Sequence, residues 1–409
     1  MNHRPYLSVI LATHNRRDVV LHTLAALGQC GLDRRDYEVI VVDNASRDGT
    51  ADALARLRGV RVRRLSRNRG ACAKAVGVPM ARAPILLFLD DDAYPRPHCL
   101  DRMLLRFEID PTLGAAGFTA HLPDGRQECS ALPHVFVGCG VGLRAAALHA
   151  VGGIDASLFM AAEEYDLSFR LLQAGWRVEI FKDLQVEHRK SAVARRRRRI
   201  SFYDICNNLR IIARYLPEPW ARVYRDDWTQ RYAWLAASAG HETAFARGLR
   251  FGRRCARSDR RRYRHRRLGP EVLEAVFGWE RIERRMCGLA AAGVRRIVLA
   301  DLGKNVYAFH RAAQRAGLAV VAVADDRLGL GDRRYRGVPI METPAALSLR
   351  PDAIVVSNTS YVHAPLRKRD LSARTNTPVY NWFDPPREMA IPDPVASRPA
   401  APAGVLTPV

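Results

Sequence analysis

The segment Ile85-Leu86-Leu87-Phe88-Leu89-Asp90-Asp91-Asp92 constrains this chain more than any other. Its apolar part has the length and composition of a strand buried on both faces. The three carboxylates that end it repel one another and must be desolvated or neutralised. A divalent cation that a phosphate can share does this at least cost. Asp90 and Asp92 have the i, i+2 spacing that puts both on one side of a strand. A solvated acidic turn is the competing account. The rest of the chain decides between them.

Upstream, Leu7–Leu11 is an apolar run ending in Ala12-Thr13-His14-Asn15-Arg16, and Val19, Leu24 and Leu27 then supply a helical face. Tyr37–Val42 ends in Asp43-Asn44-Ala45-Ser46-Arg47-Asp48-Gly49-Thr50, which carries turn and N-cap chemistry, and a helix through Leu57 follows. Val60–Leu65 leads into Ser66-Arg67-Asn68-Arg69-Gly70 and a small-residue helix over Ala71–Met80. Alternating strands and helices predict a helix-covered parallel sheet, whose ligands bind beyond the carboxyl ends of the strands. The polar clusters Thr13–Asn15, Asp43–Asp48, Asn68–Gly70 and Asp90–Asp92 all fall in that place. Together they favour a site over ordinary loops.

The series Val9–Arg16, Val41–Thr50 and Phe88–Asp92 resembles family 2 glycosyltransferases of the GT-A fold, in order and spacing, over roughly half the chain. The resemblance implies inverting transfer of a sugar from a nucleoside diphosphate sugar, with UDP or dTDP as the expected nucleoside part, aided by Mg²⁺ or Mn²⁺. It implies that Thr13 and Asp43 contact the nucleoside, with Asp43 at the base. Asn15 and Asn68 belong to the same nucleotide-sugar-binding set. Asp90 lies near the ribose and metal, and Asp92 ligates the metal directly. Asp91 is expected to matter least. The chemistry is coherent, because a diphosphate leaving group develops charge and a hard cation on carboxylate oxygens stabilises it. Arg67 and Arg69 are candidate phosphate contacts.

The second half of the site falls between residues 134 and 190. Gly138-Cys139-Gly140-Val141-Gly142 resembles the family's sugar-proximal strand, and a glycine such as Gly140 permits close backbone approach to a ligand; a bulge is the alternative. Glu163-Glu164-Tyr165-Asp166-Leu167 opens a helix that ends before Gly175. Acids suit a first helical turn for electrostatic reasons alone. The resemblance adds a role, since the segment matches the family's Glu-Asp-x-Asp-Leu motif. Its second position, the general base, is Glu164 here in place of Asp, with Glu163 and Asp166 in reserve. His188 matches the histidine that often completes the family's metal or diphosphate site. The QxxRW signature of processive synthases is absent, so single additions to a saccharide or lipid-linked saccharide acceptor are expected.

The formal charge of +23 is concentrated between residues 191 and 290, which hold 24 Lys/Arg against 10 Asp/Glu. Arg195–Arg199 is an unbroken arginine run, and Arg253–Arg267 contains nine arginines against one acid. A solvated helical face, a nucleic acid and an anionic membrane surface all fit such stretches. No recognisable nucleic-acid-binding module accompanies them, which makes nucleic acid an unlikely partner. Further on, Arg296–Ala300, Val320–Ala324, Ala353–Ser357 and Pro378–Tyr380 read as strands between helices. They form a smaller α/β unit whose first turn, Asp301-Leu302-Gly303-Lys304-Asn305, lacks the glycines of a dinucleotide fingerprint. Asp325-Asp326 and Gly337-Val338-Pro339-Ile340 resemble Rossmann-like domains attached to sugar-modifying enzymes.

The expected fold class is therefore α/β. A GT-A domain with a mixed, mostly parallel, helix-covered sheet spans residues 1–215, a basic helical linker 216–290, a Rossmann-like domain 291–385 and a disordered tail 386–409. No apolar run approaches the ~20 residues of a membrane span. The eight cysteines form no CxxC pair, which argues against zinc and disulfides and for a reducing cytoplasm; the clusters Arg195–Arg199 and Arg253–Arg267 add an expected peripheral position on the inner face of the membrane. The functional alternatives are a non-catalytic sensor of nucleotide sugars and a nucleic-acid-binding protein.

Overall fold

The apolar runs near the start of the chain become the middle of a nine-stranded sheet in the computed structural model, which describes residues 4–193, 197–329 and 331–384. β1 (Leu7–Thr13) pairs in parallel with β2 (Tyr37–Asp43), and β2 with β3 (Val60–Arg64). On its other side β1 pairs in parallel with β4 (Ile85–Asp90). This register sets Thr13 beside Asp43 and Ala12 beside Asp90, so the polar ends of these strands are level.

Beyond β4 the sheet is mixed. Its later strands are β5 (Ala93–Pro95), β6 (Leu113–His121), β7 (Gln127–Glu128), β8 (Gly140–Arg144) and β9 (Arg177–His188). The order is β3-β2-β1-β4-β8-β6-β9-β5, with β7 on β6. β8 runs antiparallel to both β4 and β6, while β9 runs parallel to β6 and antiparallel to β5. The last pairing places His188 opposite Ala93, just past the three acids.

Helices cover both faces: α1 (Arg17–Leu27), α2 (Thr50–Ala55), α3 (Lys74–Gly77), α4 (Cys99–Ile109), α5 (Ala145–Ala150) and α6 (Glu163–Gln173). β4 feeds two cores, as a strand apolar on both sides must. Leu87 and Leu89 pack with Leu24, Met103 and Phe107, whereas Leu86 and Phe88 pack with Leu167 and Leu171. Burying each such side chain is worth about 1.5–3 kcal/mol, enough to hold a strand whose end carries three acids.

The helix expected over 71–80 is broken into two 3₁₀ turns around the single turn α3. Pro79 removes a donor N–H. Gly77 lies so close to the sheet that a Cβ there would sit 2.7 Å from Ile10 Cγ2. Gly140 is glycine for a similar packing reason, since a Cβ would lie 2.8 Å from Val186 Cγ1 and 3.2 Å from Phe118 Cβ. Neighbouring strands crowd that position.

This first compact unit comprises the chain to Cys129 and from Val135 to Ile200; the second takes Ser130–His134 and the chain from Ser201. The boundary therefore falls earlier than residue 215, within α7 (Arg197–Tyr215). Next come α8 (Trp220–Ser238), α9 (Glu242–Arg262), α10 (Pro270–Phe277) and α11 (Trp279–Ala291). They are followed by β10 (Arg296–Ala300), α12 (Val306–Arg315), β11 (Ala319–Ala324), β12 (Arg334–Tyr335), β13 (Val338–Met341), α13 (Thr343–Leu347), β14 (Ala353–Val356), α14 (His363–Ser372) and β15 (Val379–Tyr380). The strands are ordered β12-β13-β11-β10-β14-β15, parallel except at the β12 edge. That is a doubly wound order with its switch point between β10 and β14.

Residues 216–290 are not a separate linker. α8 lies on the first turn of this sheet, where Trp228 Nε1 donates to Lys304 O at 2.7 Å and Arg231 Nε to Leu302 O at 2.9 Å. These bonds satisfy two carbonyls of that turn. Arg195 and Arg196 of the arginine run, and the tail from residue 385, lie outside the described residues.

Candidate active site

Each of the three acids after β4 has its own neutralising partner. Lys74 Nζ donates to Asp90 Oδ1 at 2.7 Å and to Gly138 O at 2.8 Å. Asp91 is buried, accepts from Thr13 Oγ1 at 2.7 Å and pairs with Arg16. Its backbone oxygen accepts from Thr23 Oγ1 at 2.7 Å. Asp92 is buried as well. It accepts from Arg16 Nη2 at 2.8 Å and Ser191 N at 2.9 Å, and its Oδ1 faces His188 Nε2 at 3.3 Å. The imidazole is held on its other side by Glu128, 3.1 Å from Nδ1, and Glu128 also accepts from Lys190 at 2.8 Å.

The electrostatics follow from these partners. Burial pushes the Asp90 carboxyl up, but the Lys74 and His188 charges outweigh it, and the group ends below its ordinary value. Burial lifts Asp91 to about 6 despite Arg16, with the Asp92 charge adding to the rise. Burial also opposes ionisation of Asp92, but the close approach of His188 and the charge of Arg16 leave it strongly depressed. Burial opposes the charged form of His188, but Asp92, Cys139 and Glu128 around it outweigh burial and raise it to about 11. Glu128, likewise opposed by burial, is lowered to about 2 by His188 and Lys190. Asp91 is thus the central brace of these loops, and the expectation that it matters least does not hold structurally.

α6 presents the second acidic group. Phe159, Ala161 and Ala162, just before it, have φ of 62°, 64° and 66°. Such non-glycine conformations cost of order 1–3 kcal/mol each and gather at functional sites. Gly70 adjoins this segment at φ 66°, and a Cβ on it would lie 2.1 Å from Phe159 O. Glu163 follows, half-buried, with Oε2 lacking a hydrogen-bond partner among the described residues. Its Oε1 would be 3.8 Å from a Cβ at Gly138, whose carbonyl holds Lys74. Burial and the adjacent Glu164 charge push the Glu163 carboxyl well up. Glu164 is half-buried beside it. Asp166, in contrast, is fully buried and engaged by both Nε and Nη2 of Arg170, at 2.9 and 2.6 Å. That ion pair leaves it poorly placed as a reserve base.

The other sequence candidates divide by what they hold. Asp43 is buried at the end of β2, with Oδ1 accepting from Ser46 N at 3.2 Å and Arg64 Nε 3.8 Å from Oδ2. Asn15 ties two loops together, donating through its backbone to Ser46 Oγ at 2.9 Å and accepting from Arg47 N at 2.7 Å. Asn68 Oδ1 accepts from Gly70 N at 2.7 Å and Asn44 Nδ2 at 3.2 Å. Arg67 and Arg69 are exposed. Sequence reasoning gave no role to Arg16, Lys74 or Glu128. Only Arg16 lay inside a quoted motif, and nothing local marks the other two.

Asp90, Asp92 and His188 converge, with one ligand atom from each within 4.8 Å of the others. Two carboxylate oxygens and an imidazole nitrogen suit Mg²⁺ or Mn²⁺, so the donor set fits a divalent ion. Glu128, Cys139 and His188 are equally close together. Burial raises the Cys139 thiol, however, and a protonated thiol is a poor ligand.

A parallel N-terminal half-sheet, an antiparallel β4–β8 pair and acids at the end of β4 define a nucleotide-diphospho-sugar transferase fold of the GT-A type. Residues 8–136 match the model of glycosyl transferase family 2, and residues 112–251 that of glycosyl transferase family group 2. Between them these matches identify residues 8–251 as a glycosyltransferase family 2 region.

Among curated proteins it is 32% identical over 108 residues to validoxylamine A glucosyltransferase of Streptomyces hygroscopicus subsp. jinggangensis, covering 25% of this chain and 26% of the relative. It is 36% identical over 106 residues to the succinoglycan biosynthesis protein ExoO of Rhizobium meliloti, covering 25% and 30%. The matched part thus spans less than a third of either relative. Among solved structures, S. aureus TarS in complex with UDP-GlcNAc aligns with a TM-score of 0.46 at 14% identity, covering 76% of this chain and 92% of that one. The mannosyltransferase PcManGT of Pyrobaculum calidifontis, in complex with GDP-Man and Mn²⁺, gives 0.44 at 20% identity, covering 66% and 86%.

Proposed function

We propose that this protein is an inverting, non-processive glycosyltransferase that moves a sugar from a nucleoside diphosphate sugar, UDP- or dTDP-linked, to a saccharide or lipid-linked saccharide during glycoconjugate or polysaccharide synthesis. The observation that carries the reading is the convergence of Asp90, Asp92 and His188 at the end of β4. The family membership and the names of the matched relatives, a glucosyltransferase and a polysaccharide biosynthesis protein, agree with it.

Asp43, at the far end of the row of strand ends, would receive the nucleoside. Asp90, Asp92 and His188 would hold Mg²⁺ or Mn²⁺, which when bound supplies Lewis-acid stabilisation of the departing diphosphate. Arg16 and Lys74, which neutralise the acids, lie where they would also meet the phosphates. Glu164 would take the proton of the acceptor hydroxyl as its oxygen attacks the anomeric carbon, and the nucleoside diphosphate would leave from the opposite face. One displacement inverts the centre.

The test is incubation with a panel of UDP-, dTDP- and GDP-sugars and Mn²⁺, reading donor hydrolysis and transfer to saccharide acceptors. Turnover that disappears in Asp92→Ala and Glu164→Gln supports the reading. Tight donor binding with no turnover toward any acceptor overturns it and leaves a nucleotide-sugar sensor.

A further inference from the structure

We propose that α9, together with Phe202 of α7, forms a docking surface for an anionic lipid membrane. This goes beyond glycosyl transfer and does not depend on it. One face of α9 is committed to α7. A Cβ on Gly248 would lie 2.4 Å from Phe202 O, and one on Gly252 would lie 2.8 Å from Cys206 Cα, so glycines at i, i+4 bring the two backbones together. One turn pair further on, Asp259 is buried and accepts from Arg210 Nε at 2.8 Å and Arg214 Nε at 3.0 Å. The acid that interrupts the arginine cluster is therefore consumed inside the unit.

The opposite face keeps its charge. Arg247, Arg250, Arg253, Arg254 and Arg257 are exposed, and none of them pairs with a carboxylate among the described residues. Like charges three and four residues apart oppose one another on a helix, a cost that an anionic surface removes. Phe251 stands among these arginines at 41% exposure. Its ring is 5.9 Å from that of Phe202, and the Arg254 guanidinium lies 5.2 Å from its centroid. Phe202, Arg247, Arg250, Phe251 and Arg254 line an open hollow of about 390 Å³.

Aromatic rings between unpaired guanidinium groups match the layering of a bilayer surface, with phosphates outermost and apolar groups just beneath. All five arginines stand on one 21-residue helix, about 30 Å long. Exposed Phe251 has an apolar layer to enter beneath the phosphates of a bilayer, which the groove of a duplex does not offer. The unpaired arginines and the exposed phenylalanine then have one explanation between them.

The experiment is co-sedimentation of the full chain with vesicles of phosphatidylcholine alone and of phosphatidylcholine mixed equally with phosphatidylglycerol, at low and high salt. The expected result is binding only to the mixed vesicles, weakened by salt. Each basic residue near an anionic surface contributes about fivefold. The triple variant Arg247→Glu, Arg250→Glu, Arg254→Glu should therefore lose roughly a hundredfold or more. Phe251→Ser should lose less and bind with a steeper salt dependence. A control triple of the same charge change, Arg327→Glu, Arg334→Glu, Arg369→Glu, should stay close to the parent. Circular dichroism and donor-induced thermal shift, unchanged in all variants, separate docking from misfolding and from sugar transfer. Equal losses in the two triples, or indifference of the parent to both vesicles, overturn the proposal. So does tighter, salt-sensitive binding to a short oligonucleotide that the first triple abolishes while vesicles are ignored.

Discussion

Two strands of this molecule end in adjacent acids, and the acids meet different fates. β4 runs into Asp90-Asp91-Asp92, whose carboxylates are met by the side chains of Lys74, Arg16, Thr13 and His188. β11 runs into Asp325-Asp326, whose carboxylates are met mostly by backbone amides of nearby loops. Asp325 accepts from Leu302 N at 2.9 Å, Arg327 N at 3.0 Å and Leu328 N at 2.9 Å, and Asp326 accepts from Thr343 N at 2.7 Å. An acid spent on amides builds a turn and has little to offer a ligand. An acid held by cationic side chains can exchange those partners for a metal and a diphosphate. The first turn of the second sheet is closed in the same spirit, by Trp228 and Arg231 of α8.

The comparison breaks most visibly at Asp92. Asp92→Ala should reduce transfer by about a thousandfold, the upper range for losing one charge-stabilising group. It should also abolish the Mn²⁺-induced rise in melting temperature in the absence of any sugar. If the metal shift survives, the ligand set is wrong. Glu164→Gln should cost about a hundredfold in kcat with donor affinity kept, and Glu163→Gln should cost less. The reverse ranking would move the base to Glu163, whose raised carboxyl and missing hydrogen bond make it the rival.

Stability tests follow. Lys74→Met leaves Asp90 without its buried cation and should destabilise by about 3–5 kcal/mol in urea unfolding. Asp325→Ala removes three amide bonds and should cost only about 1–3 kcal/mol, with donor-induced thermal shift unchanged. A loss of donor binding in Asp325→Ala would erase the contrast between the two acidic strand ends.

The smallest effect concerns pH in the presence of a chelator. His188 is raised from 6.5 to about 11, so its contribution to stability is complete below pH 6.5 and declines as pH rises toward 11. Glu128 is lowered from 4.5 to about 2, so its contribution is complete above pH 4.5 and declines as pH falls toward 2. Melting temperature should fall along the alkaline limb in the parent and less in His188→Asn. Excess Mn²⁺ should flatten that limb, because metal binds the neutral imidazole. An unchanged alkaline slope in His188→Asn would show that the histidine is not charged in the metal-free protein.

Much of the fold could be read from local pattern. β4 is apolar at every position before Asp90 because both its faces are covered, and that run could be read directly. Two-residue β7 could not, since Gln127-Glu128 carries no strand signal and is a strand only because β6 lies alongside. The same holds for Glu128 as a partner of His188. Gly140 has a packing reason that its sequence context did not show, since a Cβ there would crowd Val186 and Phe118. Asn15 and Asn68 brace the loops they stand in, through contacts that no local pattern announced.

By itself the sequence determined where the long apolar strands lie, that acids gather at their ends, and the family that the order of motifs resembles. Those features are short-range, fixed by burial on two faces of a strand and by turn chemistry. Tertiary structure alone decided which acids converge. His188 reaches Asp92 only because β9 pairs with β5, and Lys74 reaches Asp90 only because its segment is pressed onto the sheet at Gly77. Charge interactions fall off within a few ångströms in a partly buried site, so they depend on distances that a linear pattern does not contain. The same applied to the basic region. Composition showed that it was positive, and the Gly248–Gly252 contact with α7 decided which of its arginines remain unpaired.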